Sequence, residues 1–370
     1  MKYYGVKRKR SFSAFSIIAF SLFFISTLLV WISKASTGFA DFMNETVCNY
    51  FRFLMARIGG LFPFSLYEVI MLSIPLIAVF IIVLAVRRFK SGRGRLRFCI
   101  NLLSVILLLI SGHNIALGIG YNTTSLDKRM GFDTVEVTEE RLADVMISLR
   151  DEVNLLSEQI SFAEDGTSDP CMSFREMSDK LVESYGSFDE RHGFPGNYYS
   201  YAKRVRFGNL MSYLGITGIY TYYTGDANVN SAYPSYDIAF TTAHELAHQR
   251  GIMRENEANF MAYLVTSTSD DPYLCYSGAL NMYQYIGNAL YKTNKELYRE
   301  INSGLCDGAK SDILASYAVS EKYGDTFIAD ISNFINDMFL KSNGTAGVVT
   351  YGRVVSLTVA YFENSQNRVK

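Results

Sequence analysis

Histidine is scarce in this chain, with four among 370 residues. Cysteine is barely commoner, with five that are irregularly spaced and never form a CxxC pair. The sequence therefore spells no disulfide framework and no thiolate metal site, although Cys275 and Cys306 could pair in an oxidising compartment. Charge is sparse as well. Charged residues make up 19% and the net charge is −1, so no basic field marks nucleic acid as a partner. Internal repeats and low-complexity tracts are absent.

What the chain has in excess is apolar residues, 49% of the total. They concentrate in three uncharged runs, Ser13–Ser33, Val69–Val86 and Phe98–Tyr121. Each approaches the ~20 residues a helix needs to cross a bilayer. We expect three transmembrane helices, at about 13–33, 67–86 and 98–120, within a membrane region of residues 1–121. The first is long for the core of a signal peptide and lacks a small-x-small site after it, so it reads as an uncleaved anchor.

Basic residues set the expected orientation. Lys2, Lys7, Arg8, Lys9 and Arg10 precede the first run, and Arg87, Arg88, Lys90, Arg93, Arg95 and Arg97 separate the second from the third. The first connector holds only Lys34, Arg52 and Arg57, offset by Asp41 and Glu45. The positive-inside rule then puts the N-terminus in the cytoplasm and residues 122–370 outside it.

From Thr138 the composition becomes that of a water-soluble domain. Helical spacing predicts helices over 139–160, 172–185, 236–248, 255–265, 274–290, 311–323, 327–340 and 348–362. Residues 165–170 and 193–197 read as turns. Tyr213–Thr224, rich in β-branched and aromatic residues, predicts one or two short strands, and GDANVNSAYPS after it reads as a loop. The expected fold is mainly α with a small β element.

Two of the four histidines stand in HELAH, at 244 and 248. Positions four apart share one helix face, so both imidazoles can reach a single ion. Glu245 is placed to act as general base on the attacking water. A third ligand must come from elsewhere. Gly251 suits a left-handed cap after which the chain can turn, and a second helix begins near Glu255. Glu255 shares a face with Ala258, Asn259 and Ala262, whereas Glu257 shares one with Phe260, Met261 and Leu264. Close approach favours the small neighbours, and so Glu255, with Glu257 as the alternative. Asn259 could then orient a ligating histidine. The set His244, His248 and Glu255 suits one Zn2+ per chain, although iron or cobalt would also fit. Tyr222, Tyr223, Tyr263 and His192 are available as oxyanion donors. His113 reads as a residue at the outer end of the third span.

HELAH followed by ENEANF resembles the gluzincin metallopeptidases, whose pattern is HExxH plus a later glutamate. Glu255, Ala258 and Asn259 resemble the E-x-x-A-[ND] block of ImmA/IrrE-type and membrane-embedded zinc peptidases, in which the first glutamate is a ligand. The likeness implies a zincin-like helical metallopeptidase domain over 122–370, with substrate laid along an edge strand drawn from 215–223 or 227–230. The gap from His248 to Glu255 is shorter than in typical gluzincins. It is nearer that of the metzincins, but Arg254 stands where their third ligand would be. The chain as a whole resembles an uncharacterised bacterial membrane family, domain of unknown function 3810.

These features lead to the expectation of a zinc-dependent, membrane-anchored peptidase acting outside the cytoplasmic membrane on peptides or proteins. The alternative is a non-catalytic receptor or scaffold with a structural metal site, which would have no use for Glu245. A signal-transducing homologue would need a second protein, because the cytoplasmic segments are too short for a domain. A transporter would need a repeat that is missing.

Overall fold

The computed structural model describes residues 12–92, 94–133, 135–192, 200–324, 337–338, 341 and 353–369. Apart from residues 337–338, the helix expected over 327–340 lies outside the described residues, as do the turn at 193–197 and the side chain of His192.

Three helices are long and apolar enough to cross a membrane: α1 (Ala14–Ala35), α4 (Leu66–Ser91) and the segment Arg95–Asn122 that contains α5 (Arg95–His113). Local chemistry sets their ends. Ser13 caps α1 by accepting from Ser16 N–H, and Ser65 caps α4 by accepting from Glu68 N–H. Gly92, at φ +68°, closes α4 in the left-handed region. Leu72, Leu76, Phe80 and Ile82 project from α4 with no protein cover, as side chains facing lipid would. α1 and α5 meet along a polar seam: Ser16 Oγ donates to Asn101 Oδ1 at 3.4 Å, and Asn114 Nδ2 donates to Ser26 Oγ at 3.2 Å. A π-helical turn, Asn114–Gly118, and a 3-10 turn, Gly120–Asn122, continue α5 into the rest of the fold.

The connector between the first two candidate spans is not a loop. It forms α2 (Thr37–Glu45) and α3 (Val47–Gly59), and both pack onto the large helical body. Asp41 accepts from Thr124 N–H at 2.8 Å and from its hydroxyl at 2.6 Å. Arg52, 1% exposed, donates to Asn44 Oδ1 and O and to the Ala116 carbonyl. A boundary at residue 121 therefore cuts through a continuous packed region.

The helical body comprises α6 (Leu126–Met130), α7 (Glu139–Ser157), α8 (Phe174–His192), α9 (Gly208–Tyr213), α10 (Ser235–Gln249), α11 (Glu255–Ser267), α12 (Pro272–Thr293), α13 (Lys295–Ser303), α14 (Asp307–Gly324) and α15 (Arg353–Val369). α12 starts sharply because Asp271 caps it and Pro272 supplies a preset φ. Its apolar face, with Tyr276, Leu280, Tyr283 and Ile286, packs against Met146 and Leu149 of α7 and against α10 and α11. Burial of each such side chain contributes ~1.5–3 kcal/mol. The buried Tyr276 Oη donates to Asp312 Oδ2 at 2.8 Å.

A short antiparallel pair, β1 (Ser161–Phe162) and β2 (Ser168–Asp169), closes around residues 163–167, so that β2 falls within the 165–170 read as a turn. The second sheet has the order β3-β5-β4, from β3 (Lys203–Val205), β4 (Gly218–Thr221) and β5 (Asp226–Asn230). β5 runs parallel to β3 and antiparallel to β4. The segment read as a loop, DANVN, is thus the central strand. Its polar side chains are buried because distant groups satisfy them. Asp226 pairs with Lys203 at 2.8 Å and accepts from Leu66 N–H, while Asn228 Oδ1 accepts from Ser65 Oγ at 2.6 Å. β3 and β4 are the edge strands of this sheet, and β4 lies against α10.

Candidate metal centre

α10 begins after Pro234 and carries HELAH in its last two turns. Leu246 and Ala247 face the core, wholly buried, so His244, Glu245 and His248 turn toward a cavity of about 700 Å3. The helix ends at Gln249. Gly251 then adopts φ +97°, the left-handed turn its lack of a side chain allows, and the chain re-enters helix at Glu255. A Cβ on Gly251 would strike the Arg52 guanidinium.

This reversal lays α11 against α10 and sets Glu255 opposite both histidines. Its Oε2 is 3.3 Å from His244 Nε2 and its Oε1 is 3.5 Å from His248 Nε2. Charged hydrogen bonds between these groups run ~2.7–2.9 Å, so the contacts are long for direct pairing. Ligands held at ~2.05 Å in a zinc tetrahedron stand about 3.3–3.4 Å from one another. The two contacts use different carboxylate oxygens, and one donor atom from each of the three residues lies within 4.8 Å of the others, close enough for all three to reach one ion. The donor set, two imidazole nitrogens and a carboxylate, fits Zn2+.

The electrostatics agree. Burial alone would raise the Glu255 pKa, but His248 and His244 overcome it and hold the carboxyl well below its usual range. Burial pulls His248 down, yet Glu255 outweighs that and lifts it to about 9. A carboxylate that holds a proton so firmly on His248 is poised to exchange it for a metal cation. His248 Nδ1 is 2.8 Å from the Ile252 carbonyl, which turns Nε2 toward Glu255. Ile252, rather than Asn259, is the orienting partner. No hydrogen bond joins Asn259 to either histidine among the described residues, although Asn259 does line the cavity.

Glu245 sits 4% exposed beside this cluster, its Oε2 unpartnered. Burial raises its pKa, only partly opposed by the two histidines, and Tyr220 N–H on β4 also donates to it. Gly218 permits the approach, since a Cβ there would stand 2.6 Å from Glu245 Oε1. The edge strand therefore borders the carboxylate directly.

Glu257, the alternative, is elsewhere. It pairs with Arg254 and accepts from Leu126 N–H at 3.1 Å. Arg254 also donates to the Tyr121 and Thr123 carbonyls, tying α11 to the end of the third candidate span. Of the tyrosines considered as oxyanion donors, Tyr263 is buried away from the cavity, against Phe362. Tyr222 lines the cavity but spends its hydroxyl on the Leu109 carbonyl at 2.8 Å. Tyr223 also lines it. The sequence offered no signal for Tyr285 on α12, which the fold brings to the cavity close enough to Glu255 for its charge to be felt. Cys275 and Cys306 are both free thiols.

The sequence profile of a family described as a protein of unknown function (DUF3810) matches residues 39–359. The chain belongs to that family. No curated protein and no solved structure matches it. The match begins within α2, so the DUF3810 region takes in the connector helices together with the helical body, in keeping with their shared packing.

Proposed function

We propose that this DUF3810 protein is a membrane-anchored, zinc-dependent, gluzincin-like metallopeptidase whose helical domain, on the extracytoplasmic side, has the zincin arrangement. The observation that carries the reading is the position of Glu255 across both histidine Nε2 atoms, one donor atom of each residue within 4.8 Å of the others, in a cavity that also holds Glu245. His244, His248 and Glu255 would hold one Zn2+. Bound there, the ion would supply Lewis acidity, polarising a carbonyl and making water acidic enough to lose a proton near neutral pH.

The chain's own residues supply the rest. Glu245, with its free oxygen and raised affinity for protons, takes the proton of the attacking water and passes it to the leaving amine. Substrate backbone adds to the free edge of β4, over Gly218–Thr221, which lies against α10. β5 is excluded from that role because both its edges are paired. Tyr285, lining the same cavity, is positioned to donate to a developing oxyanion.

A screen of zinc-loaded full-length protein against a randomised peptide library tests this reading. Cleavage that a chelator stops and that Glu245→Gln abolishes supports it. A folded, zinc-loaded protein that cuts no peptide contradicts it and leaves the site to a structural role.

A further inference from the structure

The cavity of the candidate site is walled in part by the third candidate span, which runs beside α1. Asn122 Nδ2 donates to Ser33 Oγ at 3.1 Å, at the end of the first apolar run. Asn114 Nδ2 donates to Ser26 Oγ at 3.2 Å, seven residues earlier on α1. At ~1.5 Å per residue Asn114 therefore stands ~10 Å along α1 from Ser33, beside the first apolar run. His113 and Leu117, on either side of Asn114 in the chain, line the same cavity as His244, Glu245 and His248.

The sheet reaches down to meet them. Tyr222 Oη donates to the Leu109 carbonyl, and its ring stands edge-on to His113 with centroids 6.0 Å apart. Gly112 makes room, because a Cβ there would lie 2.9 Å from the Tyr222 ring. Tyr223 stacks edge-on against Tyr222 and neighbours Tyr67 in the first turn of α4. Tyr222 and Tyr223 thus form an aromatic rim against α5, four residues before its end, and beside the start of α4. α9 continues this rim. Phe207 N–H donates to Glu68 Oε1 of α4 at 2.8 Å, while Phe207, Leu210 and Tyr213 are 59%, 44% and 44% exposed. The chain passes from this apolar rim straight into Leu214 and Ile216, which line the cavity.

The geometry points to a substrate that is itself anchored in the bilayer: a polypeptide cut within a few residues of its own membrane-spanning or membrane-inserted segment. This deepens the peptidase reading and rests on it. A segment leaving the bilayer beside α5 meets the cavity wall at His113 and Leu117. It travels ~3.3 Å per residue when extended, so the ~10 Å of α1 between Ser26 and Ser33 corresponds to roughly three residues. A free peptide must instead bring its polar backbone down past the apolar rim.

The test uses full-length protein in zinc-loaded proteoliposomes and one randomised segment in two formats, fused directly to a single apolar anchor helix or free in solution. Products are mapped by mass spectrometry, with Glu245→Gln as the blank. The expected result is Glu245-dependent cuts clustered within about six residues of the anchor. Anchoring alone raises effective concentration, so the position of the cuts, not the rate, decides. Cuts spread evenly along the anchored segment, or equal cutting of the free one, overturn the inference and leave the peptidase reading standing. No Glu245-dependent product in either format overturns both.

Discussion

Asn44 donates to the Gly251 carbonyl over 3.2 Å, a contact between residues 207 apart in the chain. It joins the connector of the first two candidate spans to the turn that separates His248 from Glu255. The third member of the metal cluster is thus positioned from the membrane side, with Arg52 holding Asn44 in turn.

Substituting Gly251→Ala should test that dependence. Alanine would have to adopt φ +97° and would meet the Arg52 guanidinium. A cost of ~1–3 kcal/mol is expected, read as a lower melting temperature in detergent together with weakened zinc retention. Unchanged melting and zinc content would show the turn to be tolerant.

Glu255 and Glu257 should separate cleanly. Glu255→Gln is expected to abolish stoichiometric zinc. Glu257→Gln breaks a buried pair with Arg254, so it should destabilise the fold by ~3 kcal/mol while the remaining folded protein keeps its zinc. Metal analysis beside thermal melts distinguishes the two, and the reverse pattern would reassign the ligand.

Asp237, two turns before His244 on α10, gives a pH signature. Burial raises its pKa to about 6, with hydrogen bonds from Ser316 and Tyr236 only partly opposing it. The folded protein therefore holds this proton more tightly than the unfolded chain. The resulting stability is fully present below the unfolded value of ~3.9 and is lost as pH rises through about 6. Asp237→Asn removes the titration. Relative to the parent, the variant should gain up to ~3 kcal/mol between about pH 4.5 and about pH 7. A difference independent of pH would contradict the assignment.

Tyr285→Phe should lower kcat by roughly 10²-fold or more if its hydroxyl serves the oxyanion, with zinc content and melting unchanged. Retention of full activity would exclude that role.

Much of this arrangement is legible in the sequence where the signal is local. The three apolar runs, the HELAH helix, the glycine turn and the small-residue face of Glu255 each follow from periodicity or from the conformational freedom of one residue. What escapes is set by distant partners. DANVN looks like a loop because its polar residues are ordinarily solvated. It is a central strand because Lys203, Ser65 and Leu66 satisfy Asp226 and Asn228 from far along the chain. The connector at 37–59 buries Ala40, Met43 and Cys48 against Ile119, and its placement also rests on Asn44, Asp41 and Arg52 finding distant carbonyls, amides and hydroxyls. The orienting role expected of Asn259 falls to the Ile252 carbonyl, a backbone group that no side-chain pattern reveals.

The most direct measurement is the metal content of the purified full-length protein beside Glu245→Gln and His248→Ala. The account predicts one zinc per chain, retained in Glu245→Gln, whose side chain is a base and not a ligand, and lost in His248→Ala. A folded parent protein without stoichiometric metal, or zinc that survives His248→Ala, would contradict it.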